Sequence, residues 1–222
     1  MVNESMGHEL QQLKEDLLKM GRLLEEQIAR AVKALVDKDI DMAREVIEKD
    51  DIIDQMELDI EKNCLRLIAL KQPMARDLRF IATALRIIVD IERMADHAED
   101  ISEVCIALYP QKYIKPLIDI PRMANIVSMM VERALQALIK EDIDMAMSIV
   151  PLEQEIDALY QQIFRELLSY MMQDPATIPQ AASLLLVAGH LERIGDHATN
   201  IAEMVIYVVD GRRIDLNVIA RQ

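Results

Sequence analysis

A chain of 222 residues that is 52% hydrophobic can bury one large core or two of ordinary size, while 3% aromatic content, five glycines and seven prolines leave little turn material. Leu, Ile, Ala, Met, Glu and Lys, all helix formers, dominate, so an all-α fold is expected. Against 39 acidic residues stand 25 basic ones, and the resulting net charge of −14 opposes nucleic-acid binding or attraction to an anionic membrane surface, since both need a basic face.

The opening string "MVNESMGHELQQLKEDLLKM" is polar and lacks the apolar centre of a signal peptide. Apolar spacing of three and four predicts a first helix over 8–37, through Leu10, Leu13, Leu17, Leu24, Ile28, Val32 and Leu35. A second is predicted over 41–70 and a third over 75–108, with Pro73 in "KQPMARD" marking the break. "YPQKYIKPLIDIP" (109–121) then packs three prolines into thirteen residues. Beyond it, helices are predicted over 122–140, 144–173 and 179–209, and Pro151 inside the fifth requires a kink or a late start. The most apolar stretch, "AASLLLVAGHL" (181–191), falls short of the roughly 20 residues that span a bilayer, so no membrane insertion is expected and the location expected is cytoplasmic. Cys64 and Cys105 are isolated in helical patterns, without metal spacing or a disulfide framework.

The pattern is written twice. "DIERMADHAEDISE" (90–103) and "HLERIGDHATNIAE" (190–203) share 7 of 14 positions, "DIDMA" occurs at 39–43 and 142–146, and "QDPATIP" mirrors "KQPMARD". The organisation expected is a first three-helix repeat (1–110), a Pro-rich linker (111–121), a second three-helix repeat (122–211) and a C-terminal tail (212–222), the repeats being pseudo-symmetric antiparallel three-helix bundles.

Acidic residues repeat with the helices. Glu92 and Asp96, four apart, leave one face of a helix; Asp100 continues the stripe and Glu103 returns toward the azimuth of Glu92. The sister helix has Glu192, Asp196, Asn200 and Glu203. The preceding helices carry Asp50/Asp54 and Glu153/Asp157. If the faces meet, four carboxylates converge in each unit and suit hard cations such as magnesium, manganese, calcium or ferric iron. Acid pairs at this spacing also decorate solvated faces that bind nothing; their recurrence at equivalent places in both units is what points to metal. No Glu-x-x-His pair, as in ferritin-like di-iron sites, and no His-Glu-x-x-His zinc motif occurs. His97 and His197 are read as capping or bridging the bundle interior, Arg93 and Arg193 as counter-charges, and the 15 methionines as core filler. Nucleophile elbows and glycine-rich phosphate loops are missing, so the chain is read as a non-enzyme.

"LERIGDHATNIAE" together with "PMARDLRFIATALRIIVDIERMADHAEDI" resembles the PhoU family of phosphate-transport regulators, over nearly the whole chain and in both repeats. The resemblance implies a cytoplasmic, homodimeric accessory protein that joins the ATPase subunit of the phosphate ABC transporter to a membrane sensor histidine kinase and acts negatively when phosphate is plentiful. It also implies multinuclear metal binding through acid-x-x-x-Asp motifs, iron first, with zinc, manganese or magnesium as the other candidates. Those motifs fall on Asp50/Asp54, Glu92/Asp96, Glu153/Asp157 and Glu192/Asp196, with Asp100 and Asn200 as supporting positions. Two departures stand out: Met94-Ala95 replaces the usual Ile-Gly, and Asn200 and Tyr160 stand opposite Asp100 and Glu57, so weaker or fewer ions are expected in the second unit. The competing readings are a carboxylate-metal hydrolase or oxidase, and a metal-free helical scaffold.

Overall fold

The computed structural model describes residues 2–216, with side chains from residue 6 onward; of the C-terminal tail expected at 212–222, residues 217–222 lie outside the described residues. The described residues form helices with no strand: α1 (Val2–Asp37), α2 (Ile40–Lys71), α3 (Ala75–Leu108), α4 (Asp119–Lys140), α5 (Ile143–Met147), α6 (Val150–Gln173) and α7 (Ile178–Asp210), with one 3-10 turn at Pro175–Thr177.

Local chemistry explains where each helix stops. Lys38 and Glu141 take left-handed φ angles of 57° and 55°, ending α1 and α4. The next residue in each case is an Asp whose carboxylate caps the following helix: Asp39 accepts from the Met42 amide at 2.9 Å, and Asp142 from the Met145 amide at 3.0 Å. The repeated "DIDMA" is thus a turn signal, a stop followed by an N-cap. Pro151 breaks the fifth predicted helix into α5 and α6 and occupies the first turn of α6, where a missing N–H costs nothing. Pro121 likewise sits in the first turn of α4, which lets that helix begin at Asp119, ahead of the predicted 122.

Helices α1, α3, α7 and α4 pack in that order around a central square, and each flanks its neighbours. Helix α2 lies against α1 and α3 on one side, and α6 against α7 and α4 on the other. Each repeat is therefore a three-helix unit (α1, α2 and α3; α4, the broken α5/α6 and α7), and the two share one continuous core running from Leu13, Leu17 and Leu24 through Ile87, Ile91 and Met94 to Leu184, Leu191 and Ile194. The segment between the repeats is clamped: the buried Gln180 side chain accepts from the Ile114 amide at 2.6 Å and donates to the Lys112 carbonyl at 3.1 Å. Tyr113 donates its hydroxyl proton to the Leu35 carbonyl. Both cysteines are buried and free, and burial pushes the Cys64 thiol up to about 12, outside the reactive range.

Where α1 meets α4, Gly21 is buried and a methyl group added there would overlap Leu135 Cδ1, itself only 2% exposed. This glycine serves close helix approach. At Gly195, by contrast, an added carbon would find ordinary contacts of 3.7 Å with Ile156 and Met130, so the Ala95 of the first repeat and the Gly195 of the second are interchangeable in packing terms. We predict that Gly21→Val destabilises the chain by about 1–3 kcal/mol through overpacking, read as a lower urea midpoint, and that adding Leu135→Ala restores part of the loss.

Candidate metal centre

Helices α2 and α3 bring their acidic faces together in the first unit. Carboxylate oxygens of Asp50, Asp96 and Glu99 all lie within 4.8 Å of one another. Asp50 is only 8% exposed, and loss of solvation followed by the charge of Glu99 pushes its carboxyl up to about 7. Burial and Asp96 raise Asp54; burial and Asp54 raise Glu57; burial and Asp96 raise Glu92; burial and Glu103 raise Glu99. Six carboxylates thus share one region, Asp50, Asp54 and Glu57 from α2 and Glu92, Asp96 and Glu99 from α3, with the exposed Glu103 at its edge beside Glu99. The counter-charge is Arg93, with Nη1 3.0 Å from Asp96 and Nε 3.4 Å from Glu92.

That balance leaves oxygens without partners. Asp50 Oδ1 and Asp54 Oδ1 are buried and have no hydrogen-bond partner. A buried carboxylate oxygen left in this way carries a desolvation cost that a bound cation removes. The donor set is made of carboxylates alone, with neither imidazole nor thiolate, and that chemistry fits a hard, oxygen-seeking cation.

Glu99 was not singled out in the sequence, although its azimuth marks it. At 100° per residue it stands only about 20° from Glu92, whereas Asp100 has drifted about 80° from Glu92. Asp100 therefore turns away from the acidic group and toward the seam with α7, with Oδ2 3.4 Å from His97 Nδ1 and 3.3 Å from His190 Nδ1. Asn200 does the same from the other side, its amide reaching Asp90 at 3.5 Å. The contacts of these two expected supporting residues are thus to the seam. His97 and His197 bridge α3 and α7, and burial holds His97 and His190 below the usual histidine range.

The second unit repeats the frame with less charge. Burial, Asp196 and Asp157 raise Glu192, while loss of solvation and Asp157 raise Asp196, so Asp157, Glu192 and Asp196 face one another. Glu153 is 8% exposed on α6, one turn before Asp157. Where the first unit has Glu57 and Glu99, the second has Tyr160 and a buried Thr199 whose hydroxyl has no hydrogen-bond partner. Four carboxylates therefore stand where the first unit has six.

The family model described as the PhoU domain matches this chain twice, at residues 17–105 and 120–205. A Clostridium acetobutylicum protein named phosphate-specific transport system accessory protein PhoU homolog is 39% identical over 218 residues, covering 98% of this chain and 100% of that one. The Aquifex aeolicus protein of the same name is 43% identical over 203 residues, covering 91% and 92%. Among solved structures, PhoU from Pseudomonas aeruginosa superposes with a TM-score of 0.88 at 39% identity, over 93% of this chain and 99% of that one. The phosphate transport system regulatory protein PhoU from Streptococcus pneumoniae gives 0.88 at 32% identity, over 95% and 99%.

The raised Asp50 carboxyl has a direct consequence for stability. Folding lifts it from an ordinary 3.8 to about 7, so the folded chain holds a proton that the unfolded chain releases. Its contribution is full below pH 3.8 and is lost as pH rises toward 7. We predict that chelator-treated protein melts at a lower temperature at about pH 7.5 than at about pH 5. Asp50→Asn should flatten that slope, and Mn2+ should restore the melting temperature at the higher pH.

Proposed function

The chain belongs to the PhoU family, and from that membership we propose that it is a metal-loaded regulatory adaptor of phosphate uptake and phosphate-responsive signalling. The observation that carries this reading is the full-length match, through both repeats, to proteins named accessory to or regulatory of phosphate transport. Its partners in this proposal are the ATPase subunit of the phosphate ABC transporter and a phosphate sensor histidine kinase, with the adaptor acting negatively when phosphate is plentiful. It works in the cytoplasm as a homodimer. Among the described residues no helix is long and apolar enough to cross a membrane. Phe164, Leu168 and Met172, spaced four apart along α6, are exposed apolar side chains of the kind a partner helix covers.

Asp50, Asp54, Glu92 and Asp96 hold the ions of the first unit, aided by Glu57 and Glu99; Glu153, Asp157, Glu192 and Asp196 hold those of the second. Iron leads the candidates, with zinc, manganese and magnesium as the others. When bound, the ions supply positive charge that offsets carboxylate repulsion. The protein supplies a rigid pair of helix faces, α2 on α3 and α6 on α7, that presents the same surface to each partner. An enzymatic reading would need substrate-orienting groups around the cluster, whereas the relatives are named as accessory or regulatory proteins.

Elemental analysis of untagged protein should find metal in both units, with fewer ions in the second. Asp54→Ala/Asp96→Ala should lose the larger share and Asp157→Ala/Asp196→Ala the smaller, while circular dichroism stays helical. Equal loading of the two units would contradict the charge difference between them. Deleting the gene should switch on a phosphate-starvation reporter in phosphate-rich medium; an unchanged reporter would remove the regulatory reading.

A further inference from the structure

The seam between the repeats carries a side-chain constellation that the acidic groups do not use. His97 and Asp100 come from α3 and His190 from α7. His97 Nδ1, His190 Nδ1 and Asp100 Oδ2 form a nearly equilateral triangle with edges of 3.3, 3.3 and 3.4 Å. As hydrogen bonds these contacts are poor. N–H···O bonds run about 2.7–3.2 Å, and three such atoms with at most one proton on each nitrogen cannot satisfy all three edges at once. As the face of a coordination polyhedron the triangle fits well. Its centre lies about 1.9 Å from each corner, so an ion lifted slightly out of the plane sits at the 2.0–2.1 Å that zinc keeps to imidazole nitrogen.

The equivalent place in the other half of the seam is an internal control. There His197 stands for His97, Asn200 for Asp100 and Asp90 for His190. His197 Nδ1 meets Asp90 Oδ1 at 2.8 Å, an ordinary hydrogen bond, and Asn200 donates to the same oxygen at 3.5 Å. One half of the seam is thus closed by a hydrogen bond. The other is spread to the spacing of metal ligands and offers two nitrogens and a carboxylate. The side chains of His97 and His190 are 14% and 16% exposed, whereas that of Asp100 is 45% exposed, so the site is open to solvent from the Asp100 side, where a water has room to complete a fourth position.

We infer that His97, Asp100 and His190 form a tetrahedral site for a zinc-class divalent cation that joins α3 of the first repeat to α7 of the second, distinct from the carboxylate groups. Its donors are imidazole and one carboxylate, so it selects borderline metals over magnesium or calcium. Because the ligands come from both repeats, the ion holds together the seam on which the relative placement of the two acidic groups depends.

The test uses the full chain, stripped with chelator and titrated with Zn2+ and, separately, with Co2+ as a spectroscopic probe. In the Asp54→Ala/Asp96→Ala/Asp157→Ala/Asp196→Ala variant, one equivalent of Zn2+ should still bind, and Co2+ should give the intense visible bands of a tetrahedral site. His190→Asn, and Asp100→Asn (which copies Asn200), should each weaken that equivalent at least about tenfold and abolish the bands, while His197→Asn leaves them. If the fourfold variant does not fold, the cobalt bands are read in otherwise wild-type protein, because six-coordinate carboxylate sites do not produce them. Absence of the bands from wild type, or a His190→Asn protein that keeps both bands and affinity, overturns the inference. Failure of the wild-type protein to hold iron or manganese at the acidic groups, with the cobalt bands intact, counts against the adaptor's carboxylate metals and leaves the seam site standing.

Discussion

Helices α3 and α7 lie side by side at the centre of the molecule, and every other feature is arranged around that contact. Each has one flank in the shared core, through Ile87, Ile91 and Met94 on α3 and Leu184, Leu191 and Ile194 on α7. Each turns a second flank to its own outer helix, α2 or α6, and a third to the other across the seam. A helix with three occupied flanks has little freedom to rotate, because rotation would pull apolar side chains out of a close-packed core. The azimuth of every acid on α3 and α7 is therefore held by hydrophobic packing. The acids themselves repel and could not set it.

Charge then divides by flank. Carboxylates directed at the outer helices collect like sign: six in the first unit, with Arg93 as the cation in contact and the Oδ1 atoms of Asp50 and Asp54 lacking partners. Polar groups directed at the seam are instead mixed, and imidazole meets carboxylate or imidazole across the two repeats. The first arrangement suits a hard cation and the second a hydrogen bond or a borderline metal, although both are built from one repeated string. Divergence between the copies adjusts each independently. Tyr160 and Thr199 lower the charge of the second acidic group, while Asn200 and Asp90 close one half of the seam.

Much of this was legible in the residues. The 3.6-residue period, the prolines and the duplicated motif lead to two three-helix units, and the acid-x-x-x-acid spacing leads to two acidic faces per unit. Pro151 marks the break in the fifth helix. The repeated "DIDMA" was visible as a repeat but not as a stop-and-cap signal, since nothing in its letters shows that Lys38 and Glu141 adopt left-handed backbone. Taking every fourth residue as one stripe also misled. That spacing drifts 40° per step, which keeps Asp96 with Glu92 but carries Asp100 to the seam and brings Glu99 into the acidic group.

Helices, repeat and acid spacing are decided within a few turns of chain, where the periodicity of the helix and the reach of a side chain suffice, so the letters alone carry them. That the two repeats share one core follows instead from how the helices pack. The same holds for Asp100 facing His190, ninety residues away, and for His197 meeting Asp90. Those pairings depend on how two helices rotate against each other, and that rotation is set by the summed packing of side chains distributed over the whole chain.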